Sequence, residues 1–195
     1  MEELKTTYRQ EDFTQRTRSF FASSVSRFLQ VPTEEIVGQL ATRIGLEHRG
    51  DEAQQIRAWH QQIEILKAAC RSIGQPAKQW GILLELPLLR LGRRIDTVIL
   101  TGDRVLCLEL KIGADRYTSA DINQALDYAL CLRDFHGASH GREIIPILCA
   151  SEAPAEGLPA TLDILDDVGT CLRVNADTLA AAIKMAASPY AAEAP

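Results

Sequence analysis

Apolar positions in the first part of the chain recur at helical spacing, and those that follow shift to strand spacing. In TQRTRSFFASSVSRFLQ, residues Phe20, Phe21, Val25, Phe28 and Leu29 stand three and four apart and predict one helix, which Pro32 stops. Thr33 precedes Glu34, Glu35 and IVGQLATRI, the composition of an N-cap with a negative first turn, so a second short helix is expected to pack on the first. HRGDEAQQIRAWHQQIEILKAACRSIG then carries Ile56, Trp59, Ile63, Leu66 and Cys70 along one stripe. Gly50 or Asp51 can begin this helix and Gly74 can end it.

After QPAKQW the period shortens. GILLELPLL, IDTVILTG and DRVLCLELKI read as consecutive strands, with Thr101-Gly102-Asp103 as the tight turn of a hairpin. Helical spacing returns from Ser119, a candidate N-cap, to Phe135, with Ile122, Leu126, Ala129 or Leu130, and Phe135 on the packed side. IIPILCA is almost wholly apolar, as suits a strand covered on both faces. CLRVN reads as a further strand, ADTLAAAIKMAAS as a last helix capped by Asp177 or its neighbour, and SPYAAEAP as a tail or the start of a linker. This order predicts an α/β fold in which a mixed central sheet is flanked by helices. Residues 1–44 form an N-terminal helical extension, 45–188 the main domain and 189–195 the tail.

A length of 195 residues suits one domain, and 46% hydrophobic with 24% charged residues is the balance of an ordinary globular chain. Charge or proline interrupts every apolar run well before the roughly 20 residues a bilayer crossing needs. MEELKTTYRQEDF lacks the apolar stretch of a signal peptide, so a cytoplasmic protein is expected, with no membrane partner. The five cysteines are odd in number and form no CxxC pair, which marks them as small buried hydrophobes. A formal charge of −5 excludes coating of nucleic acid by bulk electrostatics, and any such site must be local. There is no GxxxxGK[ST] loop, no GxGxxG after a strand and no nucleophile elbow.

The chemistry concentrates in LELPLLRLGRRIDTVILTGDRVLCLELKIG. Side chains two apart on a strand share a face, so Glu109 and Lys111 project together while Leu108 and Leu110 enter the opposite side. Asp96 interrupts the partner strand of the same hairpin, and folding at Gly102 brings it near Glu109. Two converging carboxylates offer the hard oxygen ligands that Mg²⁺ prefers, and a lysine beside them can stabilise charge on a scissile phosphate or hold the attacking water. That combination suits phosphodiester hydrolysis. The competing reading of Glu109 and Lys111 is a solvent-facing salt bridge on an edge strand. Arg90, Arg93, Arg94 and Arg116 are candidates for phosphate contact, against which stands a solvated loop rim. His136 and His140 lie in a Gly-rich loop and suit a loop hydrogen bond better than a metal pair. Trp59 and Phe135 are expected in the core.

Asp96 followed by Glu109-x-Lys111 across a hairpin resembles the signature of the PD-(D/E)XK nuclease superfamily, and Gln124-Ala-Leu-Asp-Tyr128 resembles the QxxxY helix of its RecB-like branch. The resemblance implies a restriction-endonuclease-like core and a Mg²⁺- or Mn²⁺-dependent nuclease acting on DNA ahead of RNA, within a prokaryotic defence or repair system. It further implies Asp96, Glu109 and the Leu110 main-chain carbonyl as metal ligands, Lys111 at the water or phosphate, and Gln124 and Tyr128 supporting the site or touching DNA. The superfamily often adds an acid from the first core helix. Glu64 and Glu52 lie there, while Glu85, a charge between Leu84 and Leu86 on a strand, is favoured over both. Over residues 45–152 the chain is also similar to the nuclease-like domain of bacterial helicase-fusion proteins related to the Schlafen-type helicases. A helicase module, another partner protein or a second copy of the chain are the partners this implies. The rival from another class is a nuclease-fold module without catalysis, serving nucleic-acid binding or assembly; a third reading makes the sheet face an interface for a partner chain.

Overall fold

The computed structural model describes residues 18–45, 52–89 and 91–188, with the backbone alone at Glu52. Strands β1 (Phe21–Ser24), β2 (Gly81–Leu88), β3 (Arg93–Leu100) and β4 (Arg104–Lys111) pair in succession, each antiparallel to the last. The β3–β4 turn is the expected Thr101-Gly102-Asp103: Thr101 N–H donates to the Arg104 carbonyl at 3.1 Å, and Gly102 sits at φ +104°, where a side chain would be strained. Strand β5 (Glu143–Ala150) then pairs parallel to β4 after the long crossover helix α4 (Ser119–Phe135). Three short strands follow: β6 (Ile164–Leu165), β7 (Val168–Gly169) and β8 (Leu172–Val174). The result is one mixed sheet in the order β1-β2-β3-β4-β5-β7-β6, with β8 also paired to β5.

Pro146 sits in the middle of β5, where a missing N–H should break a ladder. It is tolerated because β5 pairs with β7 at Ile144 and with β8 from Ile147, so Pro146 falls in the gap between those two partners.

Helices cover both faces. One is packed by α1 (Val25–Gln30), α2 (Thr33–Ile44), α3 (Glu52–Ile73) and α5 (Leu179–Ala187), whose Phe28, Ile36, Trp59, Leu66 and Ile183 meet Ile82, Ile99, Leu106, Leu108 and Ile147. The other is packed by α4, whose Tyr128, Ala129 and Leu132 meet Leu83, Ile95, Val98, Cys107 and Ile144. Trp59 is core, as expected, and Gly74 ends α3, its N–H donating to the Cys70 carbonyl. Cys70, Cys107, Cys131 and Cys149 are buried free thiols, and Cys171 is free and half-buried. No helix among the described residues is long and apolar enough to cross a membrane.

The pattern misled in several places. Phe20 to Leu29 does not form one helix: Phe21–Ser24 is the edge strand β1, and the helix starts only at Val25, where the Ser24 hydroxyl accepts the Arg27 N–H. Two adjacent aromatics followed by serines fit a helical stripe on paper, but bonding to β2 satisfies their backbone instead. The N-terminal segment thus supplies a strand as well as helices to the main core. Thr33 is the first residue of α2 and not its cap, since its hydroxyl donates to Glu64 and accepts from Lys67 Nζ. Thr118, not Ser119, caps α4. Thr178, the neighbour of Asp177, holds the N-cap position of α5 but makes no side-chain cap bond; Asn175 Oδ1 accepts the Asp177 and Thr178 N–H groups instead. Phe135 is 55% exposed, because the buried stripe of α4 runs through Ala125, Tyr128, Ala129, Cys131 and Leu132 and ends a turn earlier. The proposed starts of α3 at Gly50 or Asp51 lie outside the described residues.

Phe28 of α1 is fully buried, with the Phe21 ring of β1 edge-on to it at 6.1 Å and Lys67 of α3 over its face. Phe28→Ala is therefore expected to lower the stability of the whole domain by about 3–5 kcal/mol in a single urea transition. A separate, early transition with the main one unmoved would show that the N-terminal segment folds apart from the core.

Candidate active site

The β3–β4 ladder ends at Thr97 and Leu108; one step further, the same register sets Asp96 against Glu109. There the Leu110 N–H donates to Asp96 Oδ2 at 2.8 Å, so a side chain takes over a donor as the strands part. On the other side of β3, Leu84 pairs with Thr97 and Leu86 with Ile95, which puts Glu85 across from Asp96. Glu85, Asp96 and Glu109 thus form one row over three strands.

Each acid is held differently. Glu85 has φ +52°, a left-handed conformation inside a strand that costs about 1–2 kcal/mol for a residue with a side chain. The kink switches the faces of β2: Ile82 and Leu84 pack with α3, whereas Leu86 and Leu88 pack on the α4 side. Glu85 itself turns toward α3, where Oε1 accepts Trp59 Nε1 at 2.9 Å and Oε2 pairs with Arg94 Nε at 2.7 Å. Both of its oxygens are taken.

Glu109 and Lys111 face α4, as their period requires, while Leu108 and Leu110 join the opposite core. Lys111 Nζ lies 2.9 Å from Glu109 Oε1, 3.3 Å from Asp121 Oδ1 and 3.1 Å from Gln124 Oε1. Gln124 Nε2 donates to Glu109 Oε1 and to Tyr128 Oη, both at 2.7 Å. With a lysine on one side and a carboxylate on the other, the Gln124 amide can point only one way. Asp121 was missed in the sequence. Thr118 followed three residues later by Asp121 is a capping-box spacing; Asp121 closes the α4 cap through Thr118 and pairs with Lys111 through its other oxygen.

The electrostatics are dominated by burial of like charge. Glu109 is 4% exposed, and its Oε2 is buried without a hydrogen-bond partner, alone in this among the described residues. Burial pushes the Asp96 carboxyl well above the usual carboxylate range, and Glu109 beside it pushes it further against the Leu110 N–H. Burial also raises Glu109, and Lys111 opposes this. Burial pulls Lys111 down, but Glu109 and Asp121 outweigh it and hold the ammonium above its ordinary value. Asp121, bonded to Thr118 and Lys111, is lowered despite desolvation.

Asp96, Glu109, Leu110 and Lys111 line a cleft of about 500 Å³ together with Glu85, Gln55, Gln62 and Ala58. Glu64 is remote from it, accepting the Thr33 hydroxyl between α2 and α3, and the Glu52 side chain lies outside the described residues. No cage of three or more His, Cys, Asp or Glu side chains is gathered among the described residues. Asp96 and Glu109 are two carboxyls, and the third is tied to Trp59 and Arg94. The arginines do not act as one cluster. Arg94 is paired with Glu85 and lies over the Phe20 ring, Arg93 is exposed on β3, and Arg116 is exposed beside Asp115 at 3.8 Å. Arg90 lies outside the described residues. His136 Nδ1 bonds the Ser139 hydroxyl at 2.9 Å, the loop role expected of it.

Comparison with protein-family models, curated proteins and solved structures returned no match.

Both core carboxyls titrate above their unfolded values, so across the interval between those values the folded state binds more protons. This contribution to stability is complete below the ordinary carboxylate range and is lost as pH rises through the folded pKa values. Asp96→Asn keeps the acceptor for the Leu110 N–H and removes one charge. It is expected to raise stability near neutral pH and to flatten the fall in urea midpoint between acid and neutral pH. An unchanged pH slope in the variant would show that the pair is not buried as a like-charged couple.

Proposed function

We propose that this chain is a metal-dependent phosphodiesterase acting on nucleic acid, DNA ahead of RNA, and belongs with the PD-(D/E)XK nucleases. The observation that carries the reading is the buried, unpartnered Glu109 Oε2 beside the Asp96 carboxyl at the mouth of a cleft that also holds Lys111. A buried carboxylate oxygen with no donor is costly unless a proton or cation meets it. A divalent ion fits that need, and Asp96, Glu109 and the Leu110 main-chain carbonyl are the groups that would hold it, as Mg²⁺ or Mn²⁺ takes oxygen ligands. When bound, such an ion supplies Lewis acidity at a phosphoryl oxygen and lowers the pKa of a coordinated water.

The chain's own residues divide the remaining work. Lys111, held charged by Glu109 and Asp121, would stabilise negative charge developing on the phosphoryl group. Gln124 fixes the Glu109 carboxylate and the Lys111 ammonium at once, and Tyr128 fixes Gln124. Glu85 acts through Arg94 and Trp59 and not as a free carboxylate. Arg93, exposed on β3, is the side chain available for a phosphate beside the cleft.

In an assay on single- and double-stranded DNA and RNA, DNA is expected to be cleaved ahead of RNA with Mg²⁺ or Mn²⁺, and every substrate left intact with chelator. Lys111→Ala should lose about 10²-fold or more in rate yet keep calorimetric ion binding, whereas Asp96→Ala should lose both. Absence of cleavage on every substrate, with equal Mg²⁺ binding by wild type and Asp96→Ala, would favour a module of the same fold serving binding or assembly. Arg93→Ala should weaken binding alike for all sequences and reduce the slope of log affinity against log salt by about 0.9, as one lost phosphate contact requires. An unchanged slope would make Arg93 ordinary solvated surface.

A further inference from the structure

The turn joining β2 to β3 exposes two large apolar side chains, Leu89 at 70% and Leu91 at 43%. It is a tight turn, closed by the Leu91 N–H on the Leu88 carbonyl at 3.0 Å, with Gly92 in the left-handed region at φ +60°. Leucines at a hairpin tip contribute nothing to the core. From Leu86 to Ile95 the sequence carries Arg90, Arg93 and Arg94 and no acidic residue, in a chain of net charge −5; Glu85 neutralises Arg94, and Arg93 is exposed. The same two strands carry Glu85 and Asp96, so the tip is fixed to the candidate site by a paired hairpin.

We infer that the β2–β3 tip is a wedge that inserts Leu89 and Leu91 into the base stack of duplex DNA while Arg93 holds a neighbouring phosphate. This rests on the nucleic-acid reading of the cleft. Apolar side chains carried on strands kink DNA by entering between base pairs, and the cost of unstacking is offset by the added contact. Exposed Arg93, just past the turn, suits a phosphate, and the two exposed leucines suit base faces. From Leu89 to Glu85 is four residues, about 13 Å at strand rise. At about 3.4 Å per base pair the opened step lies three or four base pairs from a phosphate at the cleft. Pyrimidine–purine steps open most easily, so a TA step at that separation is the favoured site.

The test titrates duplex DNA carrying 2-aminopurine beside a central TA step with the full chain in chelator, so that no cleavage intervenes. Wild type should raise the probe's fluorescence as the base unstacks. Leu89→Ala/Leu91→Ala, which changes only exposed side chains, should abolish the rise and weaken binding about tenfold or more. Arg93→Ala should weaken binding but keep the rise at saturation. An equal rise with the double variant, or wild-type binding without a rise, overturns the wedge. So does a double variant that binds duplex normally but no longer binds vesicles of anionic phospholipid, which would assign the tip to a lipid surface. Cleavage of the same duplex with Mg²⁺ or Mn²⁺ is scored separately. Unstacking without cleavage overturns the hydrolytic reading and leaves the wedge, and cleavage without unstacking overturns the wedge alone.

Discussion

A buried carboxyl, Glu109, and a half-buried one, Asp96, set side by side where β3 and β4 part are the constraint around which this end of the molecule is built. In a medium of low polarity, neighbouring like charges cannot both be ionised without compensation. The compensation present is partial. One backbone N–H serves Asp96, one lysine and one amide serve the same oxygen of Glu109, and the second Glu109 oxygen has no donor. Lys111 cannot give more, because Asp121 and Gln124 share its ammonium. The rest of the fold holds this arrangement in place. Parallel pairing with β5 fixes the register of β4, so that Glu109 and Lys111 face α4. The capping box at Thr118 and Asp121 then fixes where α4 begins, and hence where Gln124 and Tyr128 stand.

Much of this was legible in the sequence because strand periodicity is a strong constraint on a buried sheet. A charge at every second position of an apolar strand must share a face with its mate, which put Glu109 with Lys111 and predicted the hairpin that returns Asp96 to them. The mixed sheet and its flanking helices followed from the same alternation of periods. What the sequence hid was decided by tertiary contact. Phe21 to Ser24 satisfies a helical period and a strand equally well, and only the open edge of β2 chooses between them. Phe135 continues the apolar spacing of α4 but is 55% exposed, the buried stripe having ended at Leu132. Asp121 takes its place beside the site only through the fold, which brings Lys111 to it.

Glu85 shows how a residue can be located and its partner still be misjudged. A carboxylate between two leucines on a strand does face the cleft. Sequence alone could not reveal that the backbone kinks there, or that Arg94, grouped by composition with the basic rim, would be spent neutralising it. The two readings correct each other. The acid leaves the set of free carboxylates, and the arginine leaves the set of free cations.

That pairing changes the charge balance at the cleft. Arg94 is matched by Glu85 and Arg116 stands by Asp115, leaving Arg93 as the described arginine of the rim with no ion-pair partner. Beyond a Debye length of about 8–10 Å the protein's overall negative charge is screened, but within it the Asp96–Glu109 pair repels a phosphate unless a cation or proton offsets it. A small unmatched positive charge beside a negative centre gives little electrostatic affinity for a polyanion. Under the proposed function, binding must therefore draw on contacts that carry no charge. The two exposed leucines on the hairpin that ends at this site are the apolar surface positioned to supply them.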